Sequence, residues 1–161
     1  MTRSLALVAT LAVLAAPGAL AQNGGPDGRA VKVAVNPASL PPTTQHGYSR
    51  ATTAPASARV VYAAGQVGWR EGEDNRFSLQ VDRAFDDLLA VLAEAGAGPE
   101  DVVRITLLIV DHDADKLAYL GSKRVAVFGE EAPPASTLIP VARLYAPGVT
   151  FEIDATAVVA E

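Results

Sequence analysis

The chain has 161 residues, of which 50% are hydrophobic and 19% are charged, and its formal net charge is −5. This composition is typical of one globular domain with a real core, which excludes disordered and fibrous proteins, and the acidic balance disfavours nucleic-acid binding because that activity needs Lys and Arg to neutralise phosphates. The sequence contains no cysteine, which excludes disulfides, thiolate catalysis and cysteine-ligated metals.

The N-terminal segment has the pattern of an export signal. Residues 1–21 place Arg3 ahead of an apolar run and end in a small-residue A-x-A cleavage pattern. The run, Leu5–Ala16, is shorter than the roughly 20 apolar residues that a membrane-spanning helix needs. We therefore predict a cleaved signal peptide at 1–21, a flexible mature N-terminus at 22–30 and a single domain at 31–161, with a periplasmic or secreted location and no membrane attachment after cleavage.

Three strands are predicted in the first part of the domain. The candidate runs, rich in β-branched and aromatic residues, are 31–35, 48–53 and 59–69. Gly65 and Gly68 interrupt the third run, which indicates a β-bulge or a close approach to the backbone. Trp69 is interpreted as a half-buried aromatic residue at the corner where this strand gives way to a loop, with a ligand contact as the alternative.

Two amphipathic helices are also predicted. Apolar residues recur three or four positions apart in 78–95, which is typical of a helix with one buried face. Asp113 is a candidate N-cap for a second helix that ends near Phe128. We expect Leu117 and Leu120 to face the core from this second helix.

The remaining strands suggest the architecture. The run 102–110 is apolar on both faces, which is typical of a central strand, and the strands predicted at 136–144 and 149–159 are separated by a Pro-Gly turn. The element order predicts a mixed sheet with two helices on one face. The other face would expose apolar side chains, so we expect copies of the chain to cover it.

The sequence offers little for metals or polyanions. His46 and His112 lie far apart in polar surroundings without the spacing of a metal site, and we interpret both as surface residues. The largest basic cluster, Lys123-Arg124, is interpreted as part of a solvated helix face. We predict no metal, no cofactor and no nucleic-acid partner.

Several motifs together carry a family resemblance. They are GQVGW (65–69), QVDRAFDDLLAVLAEAG (80–96), DVVRITLLIVD (101–111), PASTLIPVARL (134–144) and VTFEIDATAV (149–158). In order and spacing they resemble the Rid family, the reactive intermediate deaminases also called YjgF-like proteins. The resemblance implies a chorismate-mutase-like α/β fold of the α+β kind, a homotrimer whose sheets form a central barrel, and a small-molecule site in each cleft between subunits.

The resemblance also implies site residues. A tyrosine, a strand-glycine amide and a water-orienting glutamate of the deaminating members fall on Tyr48, Gly65 and Glu152. The arginine that binds the substrate carboxylate in those members falls on Ser136, and an asparagine often found on the second helix falls on Gly121. The charged, bidentate clamp is therefore missing at position 136.

A hydroxyl pair stands where the clamp is expected. Ser136 and Thr137 offer only neutral hydroxyl groups, and Arg143 lies seven residues away, or about 23 Å along an extended strand. We therefore expect a ligand that does not need a carboxylate clamp, and we expect Ser136→Arg to raise affinity for carboxylates.

Three functions remain open. The first is hydrolysis of an enamine or imine, with Glu152 as the base on water and the Gly65 amide stabilising negative charge, although Glu152 is equally consistent with an intersubunit ion pair. The second is a non-catalytic module that holds an uncharged or aromatic small molecule. The residues it would use are Tyr48, Trp69, Ser136 and Thr137. The third is ribonuclease or translation-inhibitor activity, which the acidic charge and the export signal both disfavour.

Overall fold

The computed structural model describes residues 32–160, so the predicted signal peptide and flexible N-terminus lie outside the described residues. In chain order the strands and helices are β1 Val33–Val35, β2 Ala51–Thr53, β3 Arg59–Gln66, α1 Phe77–Glu94, β4 Val102–Val110, α2 Ala114–Phe128, β5 Ala135–Val141 and β6 Phe151–Val159. Each predicted element is present, and several strands are shorter than predicted. No helix within residues 32–160 combines the length and the apolar character needed to cross a bilayer.

The main sheet is mixed. Its strand order is β3-β6-β4-β5, in which β4 and β5 run parallel and the other neighbours run antiparallel. This confirms the predicted mixed sheet and the central place of the strand at 102–110. The strands β1 and β2 pair separately, and Thr52 attaches them to the main sheet by donating its hydroxyl to the Val103 carbonyl at 2.7 Å.

Both helices cover one face of this sheet. The α1 side chains that recur three or four residues apart are fully buried, and Phe85 stacks on Phe151 of β6 with ring centroids 6.2 Å apart. From α2, Leu120 is fully buried, as predicted. The expectation for Leu117 was wrong, since this side chain is 45% exposed. The stripe of α2 that meets α1 and the sheet passes through Tyr119 and Leu120, which turns position 117 away from the core.

A buried glutamine ties α1 to the loops at one end of the sheet. Gln80 is fully buried, and its Nε2 donates to the carbonyls of Asn75 at 2.7 Å and Gly148 at 2.9 Å. Its Oε1 accepts from the Thr150 N–H at 2.9 Å. A buried amide needs such partners, because an unsatisfied polar group costs free energy of folding.

The opposite sheet face keeps large apolar side chains in water. Val60 and Tyr62 of β3 are 44% and 81% exposed, and Ile139 of β5 is 41% exposed. These positions alternate along their strands with residues that face the helices. We call this surface the open sheet face.

Candidate functional site

Tyr48 is held between α2 and the start of β5. The short 3₁₀ turn Thr44–His46 ends at Gly47, whose φ is +70° and where a Cβ atom would lie 2.6 Å from both Arg124 Cβ and the Val125 nitrogen. Only glycine adopts this conformation readily and allows so close an approach. The next contact, from the Ser49 N–H to the Pro134 carbonyl at 2.8 Å, fastens the segment to the start of β5.

Arg124 of α2 reaches into this junction. Its guanidinium lies over the Tyr48 ring, with the central carbon 5.3 Å from the ring centroid, and Nη1 donates to Ser136 Oγ at 3.3 Å. The residue is only 4% exposed. The structure therefore places a buried cation within hydrogen-bond distance of the Ser136 side chain.

The charge of Arg124 is not balanced within the described chain. Among residues 32–160 no carboxylate lies within ion-pair distance of its guanidinium, and its buried Nε has no hydrogen-bond acceptor. Burial lowers the pKa of Arg124 below its ordinary value, with Tyr48 acting in the opposite direction. A guanidinium nevertheless stays protonated in proteins, so the group remains a cation.

The interpretation of Lys123-Arg124 as a solvated helix face was wrong for Arg124. Lys123 does lie toward the surface, where it pairs with Asp82 at 3.0 Å. Position 124 lies four residues after the buried Leu120 and four before Phe128, so it belongs to the inward stripe of α2. That spacing was the available sequence signal.

An open cleft of about 810 Å³ lies between the 3₁₀ turn and the outer surface of α2. Its lining includes His46, Tyr48, Leu117, Gly121 and Arg124. His46 and His112 are both exposed, as predicted. A Cβ atom at Gly121 would meet nothing within 4 Å, so the residue opens this wall of the cleft. The cleft thus combines one cation, one aromatic ring and apolar helix surface.

Gly65 and Glu152 meet on the open sheet face. The pairing of β3 with β6 shifts register between Ala63 and Gln66, and a Cβ atom at Gly65 would overlap the Glu152 carboxylate. At Gly68 a Cβ would overlap the Gln80 carbonyl in the same way. The register shift beside Gly65 and the close approach at both glycines confirm the prediction of a bulge or a close approach to the backbone.

The predicted site residues form two groups rather than one. Ser136 pairs with Ile105 and faces the helices, whereas Glu152 pairs with Leu108 and faces the open side. The two positions are about 10 Å apart across the strands and about 10 Å apart along them. Within one chain, Ser136 and Tyr48 therefore do not share a site with Glu152.

Two further predicted residues lie elsewhere. Thr137 is exposed and pairs with Thr106, which places it on the open sheet face, so the adjacent hydroxyls of Ser136 and Thr137 point to opposite sides. Trp69 is partly buried beyond the end of β3, where a Cβ at Gly148 would lie 2.9 Å from its Nε1. Among residues 32–160 no group of three His, Asp or Glu is placed to hold a metal ion.

Comparison with known proteins identifies the family. The Endoribonuclease L-PSP family matches residues 39–159. The RutC family protein YjgH of Escherichia coli (strain K12) is 31% identical over 119 residues, which cover 73% of this chain and 86% of that protein. The chain belongs to the Rid family.

Solved structures agree with this membership. YyfB, a conserved Rid-family protein from Yersinia pestis, matches this chain with a TM-score of 0.72 at 31% identity, over 79% of this chain and 98% of that one. RidA from the Antarctic bacterium Psychrobacter matches with a TM-score of 0.52 at 29% identity, over 69% and 87%. This Rid-family chain has the predicted chorismate-mutase-like α+β fold, a mixed sheet with two helices on one face.

Proposed function

We propose that this Rid-family protein binds a small molecule in a cleft between copies of the chain and hydrolyses an enamine or imine there. The observation that carries the proposal is the contact between Gly65 and Glu152 on the open sheet face. It places the Gly65 backbone beside the Glu152 carboxylate on a surface from which a second copy can be reached. An amide donor beside a base is an arrangement suited to adding water to a polarised double bond.

The proposed reaction uses Glu152 as a proton carrier. Glu152 accepts a proton from water while the oxygen adds to the imine carbon, and the proton passes to the nitrogen. The hydroxyl group of this adduct then gives its proton to the nitrogen through Glu152 as the carbon–nitrogen bond breaks, which releases ammonia and leaves a carbonyl group. An enamine enters the same sequence after it takes up a proton on carbon, and the Gly65 N–H stabilises negative charge that develops on the reacting atoms.

Two features support assembly as a homotrimer. The open sheet face exposes Val60, Tyr62 and Ile139, and burial of such apolar surface stabilises association. Glu152 and Ser136 also lie on opposite faces of one sheet. A neighbouring copy that packs on the open face would bring the group around Tyr48 and the group around Glu152 into one cleft.

The test is ammonia release from freshly generated small imines by purified mature protein. Glu152→Gln is expected to lower the rate by about 10² to 10⁴-fold, because it removes a positioned general base. Asp154→Asn is the matched control, since Asp154 lies two residues along β6 on the same face, and it should retain most of the activity. A wild-type rate equal to the uncatalysed rate, or full activity in Glu152→Gln, would contradict the proposal.

A non-catalytic binding module is the second candidate. It is favoured by the cleft beside Tyr48, whose lining residues include neither aspartate nor glutamate. The module would show saturable stabilisation by a small molecule with no ammonia release by the wild type. The same assay, paired with thermal shift, separates the two functions.

A further inference from the structure

We propose that Arg124 is the anion-binding residue of this protein and that its ligand carries a carboxylate group. The inference rests on the proposed function only in that a small molecule occupies the cleft. The observation is the buried guanidinium at the junction of α2, Tyr48 and Ser136.

An anion is the missing partner of this charge. Buried ions in proteins are paired, since removing an ion from water is unfavourable unless an opposite charge compensates it. Arg124 has no carboxylate partner within residues 32–160, and its only hydrogen bond there is from Nη1 to the neutral Ser136 hydroxyl. Nε also has no acceptor among these residues. A negative group that enters the cleft would balance the charge.

The surroundings of the guanidinium favour a planar anion. Tyr48 covers one flat side of the group, and Ser136 holds one of its corners. The donors that remain on Nη1 and Nη2 lie in the guanidinium plane, where a carboxylate can accept two parallel hydrogen bonds. Gly121 leaves open space in the same cleft, and its lining includes no acidic residue that would repel the ligand.

Ser136 has a different role when Arg124 is the anion-binding residue. The serine does not mark an absent charge, because Nη1 of Arg124 lies 3.3 Å from its Oγ. Ser136 is a positioning residue that holds the guanidinium, and the cation comes from a helix instead of from β5. The reasons for expecting a ligand without a carboxylate, and for expecting Ser136→Arg to raise carboxylate affinity, are thereby removed.

The test measures binding with matched probes by calorimetry. Pyruvate supplies a carboxylate, pyruvamide is its neutral counterpart, and inorganic phosphate is a non-planar anion. The wild type should bind pyruvate about tenfold to a hundredfold more tightly than pyruvamide, as expected for charge-assisted hydrogen bonds. Equal affinity for pyruvate and pyruvamide would overturn the proposal, and tighter binding of phosphate than of pyruvate would overturn the carboxylate assignment.

Variants assign the effect to Arg124. Arg124→Gln should abolish the preference for pyruvate, whereas Lys123→Gln removes the neighbouring charge of the same helix and should keep it. A carboxylate of a second copy is the other source of an anion for Arg124. Light scattering on both variants tests this source, because it shows whether each variant still assembles. If Arg124→Gln loses its assembly and keeps the preference for pyruvate, Arg124 serves the interface and the proposal is wrong.

A wild-type measurement covers the case in which Arg124→Gln does not fold. The Nε–H resonance of Arg124 should move on titration with pyruvate and stay in place with pyruvamide, and a resonance unmoved by saturating pyruvate would contradict the proposal. All binding measurements are repeated with Glu152→Gln, which lacks the proposed general base. Pyruvate itself is not hydrolysed, so binding is measured independently of catalysis. Failure of the hydrolysis assay therefore leaves this result unaffected, and the two proposals fail separately.

Discussion

At the scale of single residues, two cationic side chains among residues 32–160 are buried. Arg124 lies beside Tyr48 without an acidic partner, and Lys32, which is 8% exposed, donates from Nζ to the Val102 carbonyl at 2.7 Å. Burial lowers the pKa of Lys32 to about 8, against the opposing attraction of Asp101 and Glu100. The lysine is therefore a titrating group with a measurable effect on stability.

The free energy of unfolding should rise with pH above pH 8. Between the folded pKa of about 8 and the ordinary lysine pKa of 10.5, unfolded Lys32 holds a proton that the folded chain has released. Stability therefore increases by about 2 to 3 kcal/mol by pH 10. Above pH 10 the effect reverses, because burial and Asp82 raise the pKa of Tyr119 to about 12 and the unfolded tyrosine ionises first.

Urea denaturation from pH 7 to pH 10 measures this dependence. Lys32→Met should flatten the rise because it removes the titrating amine. Parallel pH dependence in Lys32→Met and wild type would assign the effect to other groups.

Adding an arginine at position 136 should destabilise the fold. The new guanidinium would lie against that of Arg124, and burying two like charges together is expected to cost about 3 kcal/mol or more. Ser136→Ala removes only one hydrogen bond and should cost about 1 kcal/mol. Thermal and urea unfolding check both values, and the double variant Ser136→Arg/Arg124→Ser should recover most of the loss. A stable Ser136→Arg single variant would refute the placement of Arg124.

At the scale of elements, the sequence predicted the helices and the central strand well. The repeat of apolar residues located α1 within one residue at each end, and Asp113 caps α2 by accepting from the Lys116 N–H at 2.8 Å. Local periodicity cannot show what packs over a helix. Arg124 is covered by the turn at 44–46, which is far away in sequence and forms the cleft. Leu117 was misjudged for a different reason, because it lies outside the inward stripe of α2.

Gln80 should be among the most sensitive positions of α1. Gln80→Met keeps the approximate volume but leaves the Gly148 carbonyl and the Thr150 N–H without their partner, so we expect a loss of about 2 to 4 kcal/mol. Gln66→Met is the control, because Gln66 makes one local hydrogen bond to the Ala64 carbonyl at 2.9 Å, and it should cost about 1 kcal/mol or less. Urea denaturation compares them, and equal costs would show that the buried network contributes little.

At the scale of the whole molecule, the two sheet faces have different environments. On the helix face the central strands are packed within one chain, with Ile105, Leu107 and Ile153 inaccessible to water. The open face exposes Tyr62 and Ile139 and carries Glu152. A sequence pattern can indicate that a strand is apolar on both faces, but only the three-dimensional structure shows which face the chain's own helices leave free.

Charge on the open sheet face should dissociate the assembly. Tyr62→Asp and Ile139→Asp should each give smaller particles by light scattering, because they place a charge in the proposed apolar interface. Val91→Asp is the control, since Val91 is 39% exposed on α1, away from that face. A monomeric wild type at micromolar concentration, or variants that keep the wild-type mass, would argue against the trimer.

The junction of Arg124 with Ser136 has a consequence for how relatives of this chain are compared. The guanidinium projects from α2, yet its Nη1 reaches a β5 side chain twelve positions further along the chain. A family pattern that examines only position 136 would record this chain as lacking the cation. Position 124 would not enter that comparison. Under the proposal that Arg124 binds the anion, the cation of this chain comes from position 124, so relatives are better sorted by a cation at either position than by position 136 alone.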